Sequence, residues 1–364
     1  MKHNWEYKKL GEVCDIKTGK LDANAASPNG EYPFFTCSKE TLRIDNYSYD
    51  EECVLIAGNG DLNVKYYNGK FDAYQRTYII TLKDIPMPIS MTYLYMFFSK
   101  YIEHLRQICI GGVIKYIKLN NLTDTLIPLP PLSVQERIVE ELDGLSLILE
   151  KKKQQIKELD SLAQSIFYDM FGDPIENEKG WEVKKLGEVG EIVTGSTPST
   201  TDNTNWNGKI NWVTPAELSN QLFYGATQRS LTEKGAKNLT LMPVGTVLLS
   251  SRAPIGKIAI TTQPMCCNQG FKNIICGEYL NNIFLYYYLL ITLENIKALG
   301  CGATFKEVSK KAIYSYETIL PPLDLQQSFA KKIEAIEKQK ELINQSIKEV
   351  QLLFDAKMDY YFGD

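Results

Sequence analysis

The chain has 364 residues, 44% of them hydrophobic and 23% charged, with a formal net charge of −4; that suggests two or three domains with ample core. No apolar run reaches the ~18 residues a membrane span needs, and Met1-Lys-His-Asn-Trp lacks a signal-peptide core. Eight cysteines and two histidines show no zinc-type spacing, so the expectation is a cytoplasmic protein with reduced thiols, no membrane partner and no metal.

In chain order, the first 128 residues open with Trp5-Glu-Tyr-Lys-Lys-Leu-Gly-Glu-Val and reach Thr18–Gly19. Strand-like runs follow at residues 54–57 and 77–82, bounded by Gly, Pro and Asn. An aromatic, helix-like run covers residues 92–108 and stops at Gly111. A Leu129-Pro-Pro-Leu step then introduces residues 129–173, where Ile138, Leu142, Leu145, Leu149, Ile156, Leu159, Ala163, Ile166 and Met170 recur at steps of four and three. Only Lys152 interrupts this heptad seam. A helix of about 37 residues runs roughly 55 Å.

The same unit is then written again. Trp181-Glu-Val-Lys-Lys-Leu-Gly-Glu-Val reaches Thr194–Gly195 in residues 174–319. Strand-like runs fall at 246–250, 257–261 and 273–276, with a helix-like run at 283–299 ending at Gly300. Residues 320–364 repeat the seam as Phe329, Ile333, Ile336, Ile343, Ile347, Val350 and Phe354, interrupted by Lys340. The second copy is about 17 residues longer than the first between Gly195 and Thr246, in a stretch rich in Thr, Asn, Ser and Trp. The expected fold is α/β (α+β): two globular domains, 1–128 and 174–319, joined by two long antiparallel coiled-coil helices, 129–173 and 320–364, as a pseudo-twofold internal repeat.

Charge is divided unevenly. Residues 1–128 hold 15 basic and 15 acidic side chains, and residues 174–319 hold 14 and 12. The helical segments are acidic, 5 against 9 and 6 against 8. A local basic face on the globular segments is therefore permitted.

Catalytic constellations are missing: there is no phosphate loop, no clean Gly-x-Gly-x-x-Gly after a strand, and no histidine set for a triad. The Pro-Pro steps are flanked by Leu, not by the Asn or Asp an amino-methyltransferase needs. The polar loops look more like a surface that reads DNA. In the second half Ser250-Ser251-Arg252-Ala-Pro-Ile-Gly-Lys257 lies between strand-like runs, with Arg252 suited to guanine and Lys257 to phosphate. Gln269 has the amide geometry to read adenine, with Lys272 beside it. In the first half Lys65, Lys70, Gln75 and Arg76 form a positive loop edge, with Tyr66 and Tyr67 as apolar contacts. Gln75 and Gln269 occupy equivalent slots, so a shared structural hydrogen bond competes with base reading. Lys115 and Lys306 recur and suit a backbone-phosphate contact common to both halves.

The sequence resembles the specificity subunits of type I restriction-modification systems along essentially its full length. The resemblance rests on the duplicated Trp-x-x-x-Lys-Leu-Gly-Glu start, the Arg252…Gly256-Lys-Ile-Ala and Asn268-Gln-Gly-Phe loops, and Leu129-Pro-Pro-Leu…Gln135-Glu-Arg-Ile-Val. The second helix start departs from it (Gln326, Gln327, Ser328, Phe329), and the first reading loop has Asn59 near the place of the arginine. The resemblance implies two target-recognition domains reading a bipartite asymmetric double-stranded DNA site, with the helices setting the spacer. Half-sites one turn apart lie about 34–36 Å centre to centre, a scale the helices match. It further implies that two modification subunits dock on the helical regions, that S-adenosylmethionine, ATP and Mg2+ belong to modification and restriction subunits, and that this chain is not itself an enzyme and holds no cofactor. The rivals are a coiled-coil adaptor with two protein-binding domains, which predicts no salt-dependent DNA affinity, and a self-contained methyltransferase or nuclease.

Overall fold

The computed structural model describes residues 5–84, 88–219, 221–252, 254–300 and 307–363. The chain divides into two compact units, Met1–Lys153 with Asn344–Asp364, and Gln154–Ile343.

In the first unit Glu6–Lys9 pairs antiparallel with Leu126–Leu129. The main sheet then runs in the order Cys14–Thr18, Thr77–Leu82, Tyr49–Ala57, Val64–Ala73, Tyr32–Phe35, Leu42–Ile44. Its pairings are antiparallel except where Tyr32–Phe35 joins Val64–Ala73. The helix Met91–Ile108, capped by the Ser90 hydroxyl, buries Leu94, Phe98 and Leu105 with Val54, Ile56 and Ile80 of the sheet.

The second unit repeats this plan. Glu182–Lys185 pairs with Glu317–Leu320, and the sheet begins Gly190–Val193, Asn273–Cys276, Val247–Leu249, Ile258–Thr261. These four strands match the first four of the other unit in order. Beyond them Met265–Cys267 takes Trp206–Val213 in parallel and then Arg229–Leu231 antiparallel, as the end of Val64–Ala73 takes Tyr32–Phe35 and Leu42–Ile44. Here, however, they form a separate three-stranded sheet, and Phe223–Tyr224 closes the second unit's main sheet. The repeated Thr-Gly pair has a steric cause in both. A Cβ on Gly19 would sit 2.0 Å from the Ala73 carbonyl oxygen, and one on Gly195 2.0 Å from that of Cys267, so neither site admits a side chain.

Two sequence expectations are corrected here. Residues 64–73, taken partly as a loop edge, form a strand paired residue by residue with Tyr49–Ala57; Asn68-Gly69 looks like a turn, yet Gly69 keeps its register at φ +130°. The single helix expected over 283–299 is two, Asn282–Ile291 and Leu293–Ala298. The break is at buried Thr292, whose hydroxyl donates to the Tyr288 carbonyl at 2.8 Å and competes with the helical ladder.

The long helices are Leu132–Phe171 and Leu323–Phe362. Every seam position named above is buried or partly so. In the second unit Asp160 pairs with Lys340 at 2.7 Å, while Phe171, further along one helix, meets Phe329, further back along the other; the helices run antiparallel. In the first unit Glu141 accepts from Lys357 at 2.7 Å and from the Tyr361 hydroxyl at 2.6 Å. The terminal phenylalanines dock on the aromatic helices: Phe171 on Phe284 at 4.8 Å, Phe362 on Tyr93 at 5.4 Å. The seam lysine Lys340 is held by Asp160 and Glu337. Burial pulls its pKa down, but the two carboxylates outweigh that and leave it raised.

A buried glutamine opens each long helix. The Gln135 amide donates to the Pro130 and Pro88 carbonyls at 2.8 and 3.3 Å and accepts from Ser90 N at 3.0 Å. Gln326 donates to Pro321 and Tyr279 carbonyls at 2.8 and 3.1 Å and accepts from Asn281 N at 2.8 Å. Each amide therefore ties the proline step to the cap of the aromatic helix. Gln135→Leu and Gln326→Leu should each lower stability by about 1–3 kcal/mol, because the stranded amide and carbonyl groups stay buried; urea unfolding of each variant checks this, and an unshifted midpoint with unchanged slope contradicts it.

Candidate nucleic-acid interface

Main-chain hydrogen bonds build the second-half loop. Buried Ser250 closes it: the hydroxyl donates to Pro254 O at 2.7 Å and accepts from Lys257 N at 2.8 Å, while Gly256 N reaches Ser250 O at 3.0 Å. The next residue, Ser251, donates its N–H to Gly270 O at 2.8 Å and accepts at its carbonyl from Val308 N at 2.9 Å. Arg252 then emerges, with its side chain 48% exposed.

One carboxylate organises the charges. Glu307 takes Arg252 Nε at 2.9 Å on one oxygen and Lys272 Nζ at 3.1 Å on the other. Burial pushes the Glu307 carboxyl up, but the bonds from Arg252 and Lys272 outweigh it and hold it below the usual glutamate range. Lys272 also donates to the Ser251 hydroxyl at 3.1 Å, and its side chain is only 8% exposed. This corrects the expectation for two residues: Ser251 and Lys272 lie beneath the loop and support it. Lys257 is half-buried. Gln269 is exposed and accepts from the Thr197 hydroxyl at 2.7 Å.

The first half has the same frame with other side chains on it. Gly58 N donates to Arg76 O at 2.8 Å and Gly58 O accepts from Ile117 N at 3.0 Å. Gly58 thus fills the slot of Ser251, Asn59 that of Arg252, Gln75 that of Gln269 and Arg76 that of Gly270. Asn59 bridges Tyr116 through the backbone, where the second half has the Arg252–Glu307 pair. Gly60 N donates to Lys115 O at 2.9 Å, which leaves the exposed Lys115 side chain at the loop edge. Gln75 and Arg76 are exposed, and Asn59 is half-buried.

The remaining first-half residues lie on the Val64–Ala73 strand and are engaged within the unit. Lys65 donates to the Ser38 carbonyl, and burial lowers its pKa. The Tyr66 hydroxyl donates to Glu52 at 2.8 Å; burial first, then Glu52, pushes its pKa up to about 12. Tyr67 packs its ring against Phe35 at 5.1 Å. Lys70 sits 4.6 Å over the Tyr47 ring. Lys306 lies outside the described residues.

Sequence reasoning passed over Glu307 and Arg229. Arg229 is exposed, 3.6 Å over the ring of Trp206 and 5.3 Å from that of Trp212. Both indole N–H groups donate to carbonyls of the longer second-half stretch, Ser199 at 3.1 Å and Ser196 at 3.2 Å. This presents a guanidinium seated over a buried aromatic pair. Its only trace in the sequence was the Trp content of that stretch. Among the described residues no three His, Cys, Asp or Glu side chains gather as metal ligands, and no helix is long and apolar enough to cross a membrane.

Because the folded Glu307 pKa is lowered, its contribution to stability is fully present above the unfolded glutamate value and is lost as pH falls through the folded one. Glu307→Gln should abolish that component of acid sensitivity and lower stability near neutral pH, since buried Lys272 loses its carboxylate partner. Unfolding midpoints measured from neutral to acidic pH check both effects.

The family model for the type I restriction modification DNA specificity domain matches residues 2–159 and again 178–352, one match per copy of the repeat. The EcoDI specificity subunit of Escherichia coli, a type I restriction enzyme component, is 40% identical over 156 residues. That match covers 43% of this chain and 34% of the relative, so the chain spans about a third of that curated relative's length. The putative MjaX specificity subunit of Methanocaldococcus jannaschii is 24% identical over 407 residues, covering 98% of this chain and 94% of the relative. The crystal structure of a type I restriction-modification S subunit from M. genitalium shares the fold, with a TM-score of 0.62 at 17% identity over 99% of this chain and 96% of that one. With its family model matched twice across a duplicated sheet-and-helix unit, the chain belongs to the type I restriction-modification DNA specificity family.

Proposed function

We propose that this chain is the sequence-reading component of a type I restriction-modification assembly acting in the cytoplasm. Residues 1–128 read one half of a bipartite asymmetric duplex site and residues 174–319 read the other. One observation carries this: the same main-chain frame holds different side chains at matching slots, Asn59 against Arg252 and Arg76 against Gly270. Two readers of one architecture and different chemistry suit a site whose halves differ. Phosphate contacts fall to Lys115, Lys257 and Lys306, and base contacts to Arg252, Gln269, Asn59, Gln75 and Arg76.

Catalysis lies elsewhere in this proposal. Two modification subunits bring S-adenosylmethionine and methylate adenine, while restriction subunits bring ATP and Mg2+. The exposed faces of Leu132–Phe171 and Leu323–Phe362 receive these partners, and the seam is reserved for the helix pair. The coiled-coil adaptor reading has no support in the matched relatives.

The test is to co-express the chain with a modification subunit encoded beside it and map methylated adenines across host DNA. A split asymmetric motif with a fixed gap is expected. A stable complex that adds no methylation would count against the proposal. Arg252→Ala should relax the second half-site by about 1–3 kcal/mol of discrimination and leave the first untouched; methylation maps of the variant read this directly. One heptad added to each long helix should lengthen the gap by about three base pairs, from ~10 Å of added helix. An unaltered gap in those maps would remove the helices from setting it.

A further inference from the structure

Residues 110–116 turn apolar side chains outward at the edge of the first reading loop. Ile110 N donates to Tyr116 O at 3.1 Å and Tyr116 N to Ile110 O at 2.9 Å, which closes a tight hairpin. Gly111 makes the turn at φ +115°, where a Cβ would lie 2.4 Å from the Ile114 carbonyl oxygen. At the tip Val113 is fully exposed, Ile114 is 62% exposed and Ile110 41%. The root is fixed: Lys115 O accepts from Gly60 N, Ile117 N donates to Gly58 O, and the Tyr78 hydroxyl donates to Ile117 O at 3.2 Å. A rigid root beneath an unprotected apolar tip is a costly arrangement in water unless something covers the tip.

We propose that this hairpin is a wedge that enters the first half-site beside Asn59 and opens a base step with Val113 and Ile114. The inference rests on the DNA-reading role of the first unit and adds a mode of recognition to it. Three features favour DNA as the occupant. The hairpin grows from the same main-chain bonds that hold Gly58 and Asn59. Lys115, next to the tip, and Lys118, just past the hairpin, are both exposed, so phosphates near an inserted tip meet cations. The apolar tip is also small, far below the roughly 800 Å² each partner buries in a stable protein interface, whereas a base step accepts one or two apolar side chains. The second copy carries Gly302, Phe305 and Lys306 in the aligned sequence positions, which lie outside the described residues. Insertion favours easily unstacked pyrimidine–purine steps, so the wedge selects sequence without hydrogen-bonding a base.

The experiment uses the full-length chain with its co-expressed modification subunits and duplexes carrying 2-aminopurine at each position of the first half-site in turn, the methylated adenine excepted. The native complex should raise the fluorescence several-fold at one step. A Val113→Ser, Ile114→Ser double variant should lose that signal and bind about tenfold more weakly, with an unchanged salt slope because no phosphate contact is removed. Both side chains are exposed, so its thermal unfolding should match the native chain. Specific binding with no unstacking at any step overturns the wedge, as does a variant that keeps both signal and affinity. Loss of the modification subunits from the variant complex overturns it in favour of a protein contact. A native complex with no sequence-specific affinity overturns the reading of this family member as a DNA reader, and the wedge with it.

Discussion

A single buried carboxamide stands at the start of each long helix, and the rest of each unit is arranged around what it joins. Gln135 and Gln326 are almost wholly enclosed. Each satisfies a proline carbonyl behind it, a loop carbonyl beside it and an N–H at the cap of the neighbouring aromatic helix. The proline step cannot donate to a helix ladder, so the amide supplies what the backbone lacks there. With the aromatic helix fixed, its buried face sets the sheet, and the sheet carries the reading loop at the ends of its central strands.

Much of this was legible in the sequence, for identifiable reasons. The seam showed itself because Ile138 to Met170 keep one periodicity over many turns, and the repeat because Trp5 and Trp181 open near-identical stretches. The matched slots Gln75 and Gln269 followed from the repeat alone. The Val64–Ala73 strand was obscured by Asn68-Gly69 and by lysines that resemble a loop edge. Lys272 looked like a free cation because its partner, Glu307, is distant in sequence and reaches it only through folding. Arg229 was hidden for the same reason, since its aromatic support comes from Trp206 and Trp212 on the neighbouring strand. Pairings across strands leave no periodic trace.

Two lysines kept inside each have a carboxylate fixed beside them. Lys340 interrupts the apolar seam and meets Asp160 and Glu337, while Lys272 beneath the loop meets Glu307. In the seam such a pair costs desolvation and returns register, since sliding the helices would strand the ammonium. Under the loop the shared carboxylate aims Arg252. Lys115 takes the opposite course, with its side chain exposed where a polyanion can approach.

Each reading loop is pinned at its root by a main-chain bond, Gly58 to Arg76 in one half and Ser251 to Gly270 in the other. Peptide groups are the same in every residue except proline, so the side chains at the loop tips are free to drift without unfastening these bonds. Asn59 and Arg252 already occupy one position with unrelated chemistry. Gly19 and Gly195 are the converse, closed to every side chain by a carbonyl pressed against them. A randomised library would therefore recover diverse residues at the loop tips and glycine alone at those two sites, and new specificities would arise in one half as heritable variation that the other half never has to match.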